Sequence, residues 1–362
     1  MQTGVKLCGL GKIPGLIYDE LMLLASLGHA TRDILHGVQT MTDDFFERNK
    51  RERKSFFQDR RNLIMLGAVG GAAAAYGYWR YHEGAFAPDS EVIQAGKWWD
   101  SSEQAQIYLA EKRDKRFSAG RRETPREAAA RFTNFYEFSR TKSCWQYVDL
   151  FEPRPWKVTI GGLCKHPITL DLDDLLKKFK PEMSEREYRH RCVERWAMAI
   201  AWTGFPLSKL LEMVEPTAAA THVKFTSFHR PEQAPRQGDA SFPWPYVEGL
   251  SLEEARNELT LLATGMYGEP LLRQHGAPLR LVVPWKYGYK SIKSIDKIEL
   301  VGKQPATFWS TINPKAYPFE SNVDPAVPVP WDQSTERMLG KGEEYKTEKF
   351  NGYGEWVAKM YR

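Results

Sequence analysis

Cys192 stands at the centre of YRHRCVERW (188–196), with Arg189, His190, Arg191 and Arg195 within three residues of it along the chain. Positive neighbours favour thiolate over thiol, and a thiolate is either a nucleophile or a ligand suited to a soft metal centre. Taken alone, the run also suits an inert buried cysteine beside surface arginines. A second stretch, QHGAPLRLVVPWKYGYKSIKSI (274–295), places a tight turn at His275-Gly276-Ala277-Pro278, then a strand, then a basic and aromatic loop. There Trp285, Lys286, Tyr287, Gly288, Tyr289, Lys290 and Lys293 could hold a phosphate and a flat heterocycle, the cations binding the anion while the glycine admits backbone N–H groups. A solvated hairpin carrying lysines fits the same residues. The glycine pattern of a nucleotide triphosphate loop is missing. The third stretch, TNFYEFSR (133–140), offers Asn134, Tyr136 and Glu137 as hydrogen-bonding groups.

The elements that must carry these stretches read as a mixture without βαβ alternation, so the expected fold class is α+β, mixed sheets with surrounding helices. Thr124-Pro125-Arg126-Glu127 predicts a helix opened by a capping box. WKVTIGG (156–162) reads as a strand and turn, residues 172–179 as a helix capped by Asp171, and the residues before Cys192 as extended. A helix is expected near 206–213, a strand at 222–228, and a second capping-box helix from Ser251-Leu252-Glu253-Glu254. LTLLATGMYG (259–268), LRLVVP (279–284) and IDKIELVG (295–302) complete the strands. Residues 88–123 are polar and charged, and read as a linker or surface arm ahead of a domain spanning 124–362.

A chain of 362 residues, 42% hydrophobic and 27% charged, is long enough for a sizeable core and excludes disorder, collagen and coiled coil as whole-chain descriptions. The net charge of +5 is too mild to argue for a nucleic-acid partner, so none is expected. Four cysteines, Cys8, Cys144, Cys164 and Cys192, exclude a disulfide scaffold and a zinc ribbon, and Cys144 and Cys164 are expected as free thiols. Residues 47–61 hold seven basic and three acidic side chains, and 62–79 carry no charge. Arg60-Arg61 before that apolar segment and Ala85-Phe86-Ala87 after it resemble a twin-arginine export signal with a cleavage site, and an uncleaved membrane anchor is the competing reading of residues 1–87. Either places the rest of the chain across the membrane, with the basic cluster on the cytoplasmic side. Met41 would make a more ordinary start for such a signal, and residues 1–40 have no assigned role.

In order, NFYEF, YRHRCVE-W, WTGFPL-KLL, PYVEGL, HGAPLRLVVPWKYGYKSIKSI and FNGY resemble the catalytic subunits of periplasmic protein-methionine-sulfoxide reductases, molybdopterin-dependent oxidoreductases of the sulfite oxidase fold. The resemblance runs from about Asn134 to the C-terminus. It implies that Cys192 ligates molybdenum beside the dithiolene of one molybdopterin per chain. It places Asn134, Tyr136 and Glu137 on cofactor contacts, together with Ser227, where the family usually has threonine, Arg280 on the pterin phosphate, and Ser291, Ile292 and Lys293. Thr133 and His275 stand where the family has asparagines, and each keeps a group able to hydrogen-bond a pterin. The implied reaction removes the oxygen of methionine sulfoxide, free or protein-bound. The implied partners are oxidised proteins, the twin-arginine export machinery and a haem-containing membrane subunit that donates electrons, since the chain has no CxxCH, cysteine cluster or dinucleotide fingerprint of its own. The implied location is the periplasm, with membrane association possible through the leader. A sulfite oxidase-like enzyme is the first alternative, and His275 leans towards it. A cofactor-free binding module on the same fold is the second.

Overall fold

The computed structural model describes residues 88–327 and 329–361. The export signal, anchor and cleavage site expected in residues 1–87 lie outside the described residues.

Two short helices, α1 (Asp89–Gly96) and α2 (Ser102–Ile107), open the described chain. They belong to the segment read as a polar arm, yet its apolar residues are buried: Val92, Trp99, Tyr108 and Phe117 all sit in core clusters. The Tyr108 hydroxyl donates to Asp173 Oδ1 at 2.5 Å, and Trp98 Nε1 donates to the Leu271 carbonyl at 2.8 Å. Sparse apolar residues among many charges therefore pin the segment down while most of the charges face water. Helix α3 (Arg126–Arg131) follows, without the expected box: no side chain caps it. Thr124 is engaged elsewhere, its N–H donating to Ala199 O at 2.9 Å and its Oγ1 accepting from Ala199 N–H at 3.1 Å. Pairing with a strand has outcompeted the local cap.

The strands and helices then run β1 (Lys157–Gly162), β2 (Ile168–Asp171), α4 (Leu172–Phe179), β3 (Ser184–Arg191), β4 (Trp196–Pro206), α5 (Leu207–Val214), β5 (His222–Ser227) and β6 (Val247–Ser251). After them come α6 (Leu252–Arg256), β7 (Leu261–Met266), β8 (Glu269–Pro270), β9 (Arg280–Val282), β10 (Ile295–Val301), α7 (Phe308–Ile312), β11 (Thr335–Met338) and β12 (Glu344–Lys346). Helix α4 has the predicted cap, Asp171 Oδ1 accepting from Asp173 N–H at 3.0 Å, and buries Leu172, Leu175, Leu176 and Phe179 on one face. Helix α6 has the full capping box of Ser251 and Glu254.

Two mixed sheets result, as the α+β expectation requires. The five-stranded one is ordered β2-β1-β10-β5-β6, with β1 and β10 parallel. The seven-stranded one is ordered β12-β11-β4-β7-β8, with β3 also on β4 and β9 also on β7. Its spine is β4, WAMAIAWTGFP, buried at every position but its two ends. Sequence reading assigned no element to residues 196–205, because an apolar run without alternation suits a buried strand or a buried helix segment equally. The antiparallel register of β3 and β4 ends at Arg191 opposite Ala197, so the hairpin between them is built from residues 192–195.

Candidate active site

Cys192 lies in that hairpin. Its N–H donates to Trp196 O at 2.9 Å and its carbonyl accepts from Arg195 N–H at 3.0 Å, with Arg195 at φ 74° to close the turn. The sulfur is nearly buried and forms part of the wall of a cavity with about 1030 Å³ of space free of protein atoms, its open mouth included. Glu194 N–H donates to Sγ at 3.4 Å and Asn134 Nδ2 approaches it at 3.7 Å. Burial pushes the thiol up to about 12, and the Glu194 carboxylate adds to the shift. The expected arginine effect is overturned: Arg191 pairs with Glu336 at 3.1 Å, Arg189 with Glu348 at 2.6 Å, and Arg195 with Asp332 at 3.7 Å. Each guanidinium therefore has a carboxylate partner, and desolvation governs the sulfur.

Three separate segments bring the other predicted residues to the same cavity. From 133–137 come Thr133, Asn134, Tyr136 and Glu137. Asn134 Oδ1 accepts from Lys142 Nζ at 2.5 Å, and its Nδ2 donates to Glu194 Oε2 at 3.1 Å. Burial lifts the Glu137 carboxyl to about 7. From the turn and β9 come His275 and Arg280. His275 Nε2 lies 3.1 Å from the Ala129 carbonyl, which assigns the proton to that nitrogen, and burial lowers the ring to about 3, so it is neutral. Gly276, at φ 91°, would drive any Cβ to within 2.5 Å of Lys293 Cβ. Glycine there lets the turn lie directly on the third segment.

That third segment supplies Ser291, Ile292 and Lys293. Its lysines do not behave as a solvated basic loop. Lys286 is paired with Glu254 at 2.5 Å and Lys290 with Glu248 at 2.7 Å, all four side chains buried. Only Lys293 of the three lines the cavity, its Nζ donating to the Asn134 carbonyl at 2.7 Å. Ser227 is the one predicted residue outside the lining: its hydroxyl donates to Lys293 O at 2.8 Å from behind. Ten of the eleven predicted residues thus share one cavity, and the eleventh braces it.

The charge balance says what the cavity can take. Arg280 is buried and donates to three backbone carbonyls, His275 at 2.9 Å, Ser291 at 3.0 Å and Leu281 at 3.3 Å, with no carboxylate partner among the described residues. Desolvation alone brings it down to about 9. Lys293, half-buried, is lowered to about 8 by desolvation and by Arg280. Two cations line one cavity with Glu137 and with Glu194, which is already paired with Lys142, and they fit an anionic group such as a phosphate. No group of three or more His, Cys, Asp or Glu among the described residues could hold a metal ion. A metal at Cys192 would therefore take one sulfur from the protein and the rest of its ligands from an organic chelate. The donor set and the charge fit such a group.

His190, read from the sequence only as a positive neighbour of Cys192, lines the cavity too, and burial keeps its ring neutral. Sequence reading missed the aromatic wall, in which Trp202, Trp309, Tyr317 and Trp331 all line the cavity. The high aromatic content, 13%, was the only available signal, and it pointed to no position.

The sequence matches the oxidoreductase molybdopterin binding domain family over residues 146–309. It is 49% identical over 248 residues to the protein-methionine-sulfoxide reductase catalytic subunit MsrP of Gluconobacter oxydans (strain 621H), covering 66% of this chain and 79% of that protein. It is 41% identical over 328 residues to the protein of the same name from Burkholderia mallei (strain ATCC 23344), covering 89% of this chain and 95% of that one. Among solved structures, the sulfane dehydrogenase SoxCD from Paracoccus pantotrophus aligns with a TM-score of 0.37 at 17% identity, over 55% of this chain and 46% of that chain.

Proposed function

We infer the function from one premise: the chain belongs to the family of protein-methionine-sulfoxide reductase catalytic subunits, MsrP. It is a molybdenum-dependent oxidoreductase that reduces methionine sulfoxide to methionine. When bound, the molybdenum cofactor supplies two-electron oxygen-atom transfer, leaving the thioether and, after two electrons and two protons, water.

The observation that carries the reading is the meeting of Cys192 with Arg280 and Lys293 in one cavity. In this reading Cys192 is the protein ligand of the metal, and one molybdopterin serves each chain. Arg280 and Lys293 balance its phosphate. Asn134 holds the Cys192 side while its carbonyl orients Lys293 Nζ. Thr133, Tyr136, Glu137 and Ser291 present polar groups to the chelate, and Ile292 gives it an apolar contact. Neutral His275, its Nε2 committed to Ala129 O, leaves Nδ1 as an acceptor for a pterin N–H. Ser227 positions the 291–293 segment without touching the cofactor.

As a catalytic subunit the protein works with a partner subunit. We assign that partner as a haem-containing membrane electron donor, and place this chain in the periplasm, reached by twin-arginine export of the folded, cofactor-loaded chain. Oxidised proteins are the substrates. The sulfite alternative would need its cations free where a small anion arrives, whereas here Arg280 is buried, Lys293 is half-buried with its Nζ donating to the Asn134 carbonyl, and the partly exposed wall is aromatic. Replacing Cys192→Ser should leave the fold intact, abolish sulfoxide reduction by a reduced dye, and sharply lower bound molybdenum, because a hydroxyl is a poor soft-metal ligand. Full turnover in that variant, or molybdenum-free wild-type protein from a molybdenum-replete host, refutes the assignment.

A further inference from the structure

Trp331 is 39% exposed at the cavity that holds Cys192. From it a continuous series of ring contacts leads inward: Trp331 to Tyr317 at 5.7 Å between centroids, Tyr317 to Trp309 at 4.9 Å, and Trp309 to Tyr136 at 5.0 Å. Tyr317 also packs against the cluster formed by Cys192, Val193, Tyr287 and Val323. Two further apolar side chains near these rings in sequence are exposed. Ile312, three residues beyond Trp309 on α7, is 42% exposed, and Val327, four residues before Trp331, is 47% exposed. A large ring left partly in water in a cavity wall is placed to meet what enters that cavity.

The rings carry no formal charge and present polarisable faces. A methionine sulfoxide side chain is neutral, with a methyl group and methylenes flanking its sulfur, and sulfur beside aromatic rings is a favourable contact. The inner rings, Tyr317 and Trp309, are placed to meet that side chain as it reaches towards Cys192. Trp331, at the exposed end, is placed to meet what lies on either side of it.

We propose that Trp331 is a specificity-determining residue, packing on the peptide segment that flanks a methionine sulfoxide in an oxidised protein while Tyr317 and Trp309 line the path of the side chain. The proposal rests on the reductase reading above. It accounts for a tryptophan left partly exposed in the cavity wall, and it makes the protein-bound sulfoxide a better substrate than the free amino acid.

The test is steady-state kinetics with a reduced dye, on cofactor-loaded wild type, Trp331→Ala and Trp331→Phe, using a short methionine sulfoxide peptide and free methionine sulfoxide. Trp331→Ala should raise KM for the peptide about 10-fold, as loss of a tryptophan anchor does at other interfaces, with kcat and molybdenum content unchanged. KM for the free amino acid should stay within about twofold, and Trp331→Phe should restore most of the peptide KM. An unchanged peptide KM overturns the proposal, as does an equal rise for both substrates. So does a fall in kcat that tracks lost molybdenum, which would make Trp331 part of the cofactor site. Wild-type protein that loads molybdenum yet reduces neither sulfoxide would instead refute the reductase reading, and the proposal with it.

Discussion

Around Cys192 each arginine that the sequence places nearby has a carboxylate partner, with Arg121 sharing Glu336 and Glu348, and burial keeps His190 neutral, so the sulfur sits as a buried thiol raised to about 12. Such a group is deprotonated by the metal that binds it rather than by its neighbours, which is how structural thiol ligands generally ionise. His275 shows the same desolvation acting on a base. Facing Arg280, Lys293 and Arg126, and buried, its ring is lowered to about 3. A group protonated less readily in the native than in the unfolded state withdraws stability as the pH falls below its unfolded value near 6.5. At pH 5 this amounts to about 2 kcal/mol. Thermal melting of the cofactor-free protein at pH 8 and pH 5 measures it: His275→Asn, which keeps a polar side chain without a titrating ring, should narrow the wild-type drop in Tm by several degrees. An equal drop in both proteins would locate the acid sensitivity elsewhere.

At the scale of elements, the loop after β9 is held by pairs that no local pattern announces. Lys286 and Lys290 face Glu254 of α6 and Glu248 of β6, brought from more than thirty residues away. These pairs fix the loop so that Ser291, Ile292 and Lys293 arrive at the cavity. Breaking one leaves a buried charge without a partner, which costs about 3–5 kcal/mol. Glu248→Gln should therefore lower the midpoint of urea unfolding substantially with little change of slope, and a shift below about 1 kcal/mol would mean that water already reaches Lys290. Other elements were legible in proportion to their local signals. Helices α4 and α6 formed where an Asp or Ser cap preceded an apolar face. The cap at Thr124 failed because β4 claimed both its backbone and its hydroxyl.

For the whole molecule, the informative segment is 88–123. Its composition is that of a linker, yet Val92, Trp99, Tyr108 and Phe117 are buried and Trp98 bonds across the domain to Leu271. Each large apolar side chain so buried contributes about 1.5–3 kcal/mol. A chain beginning at residue 124 should therefore be insoluble or unfold at much lower denaturant than one beginning at residue 88. Equal stability of the two would show that the segment only rests on the surface.

Residue types in order along the chain determined the family, the cysteine, and the three stretches that make the cavity, since a soft ligand, a phosphate-balancing arginine and hydrogen-bonding side chains are needed in kind wherever the fold brings them. Local caps and alternation likewise determined most helices and strands. Tertiary structure alone decided which charges are neutralised, which lysine reaches the cavity, that Ser227 stands behind it, and which aromatics line its exposed side. Those outcomes depend on contacts between residues far apart in sequence and on the loss of water around them, and neither is written in any local run of the chain.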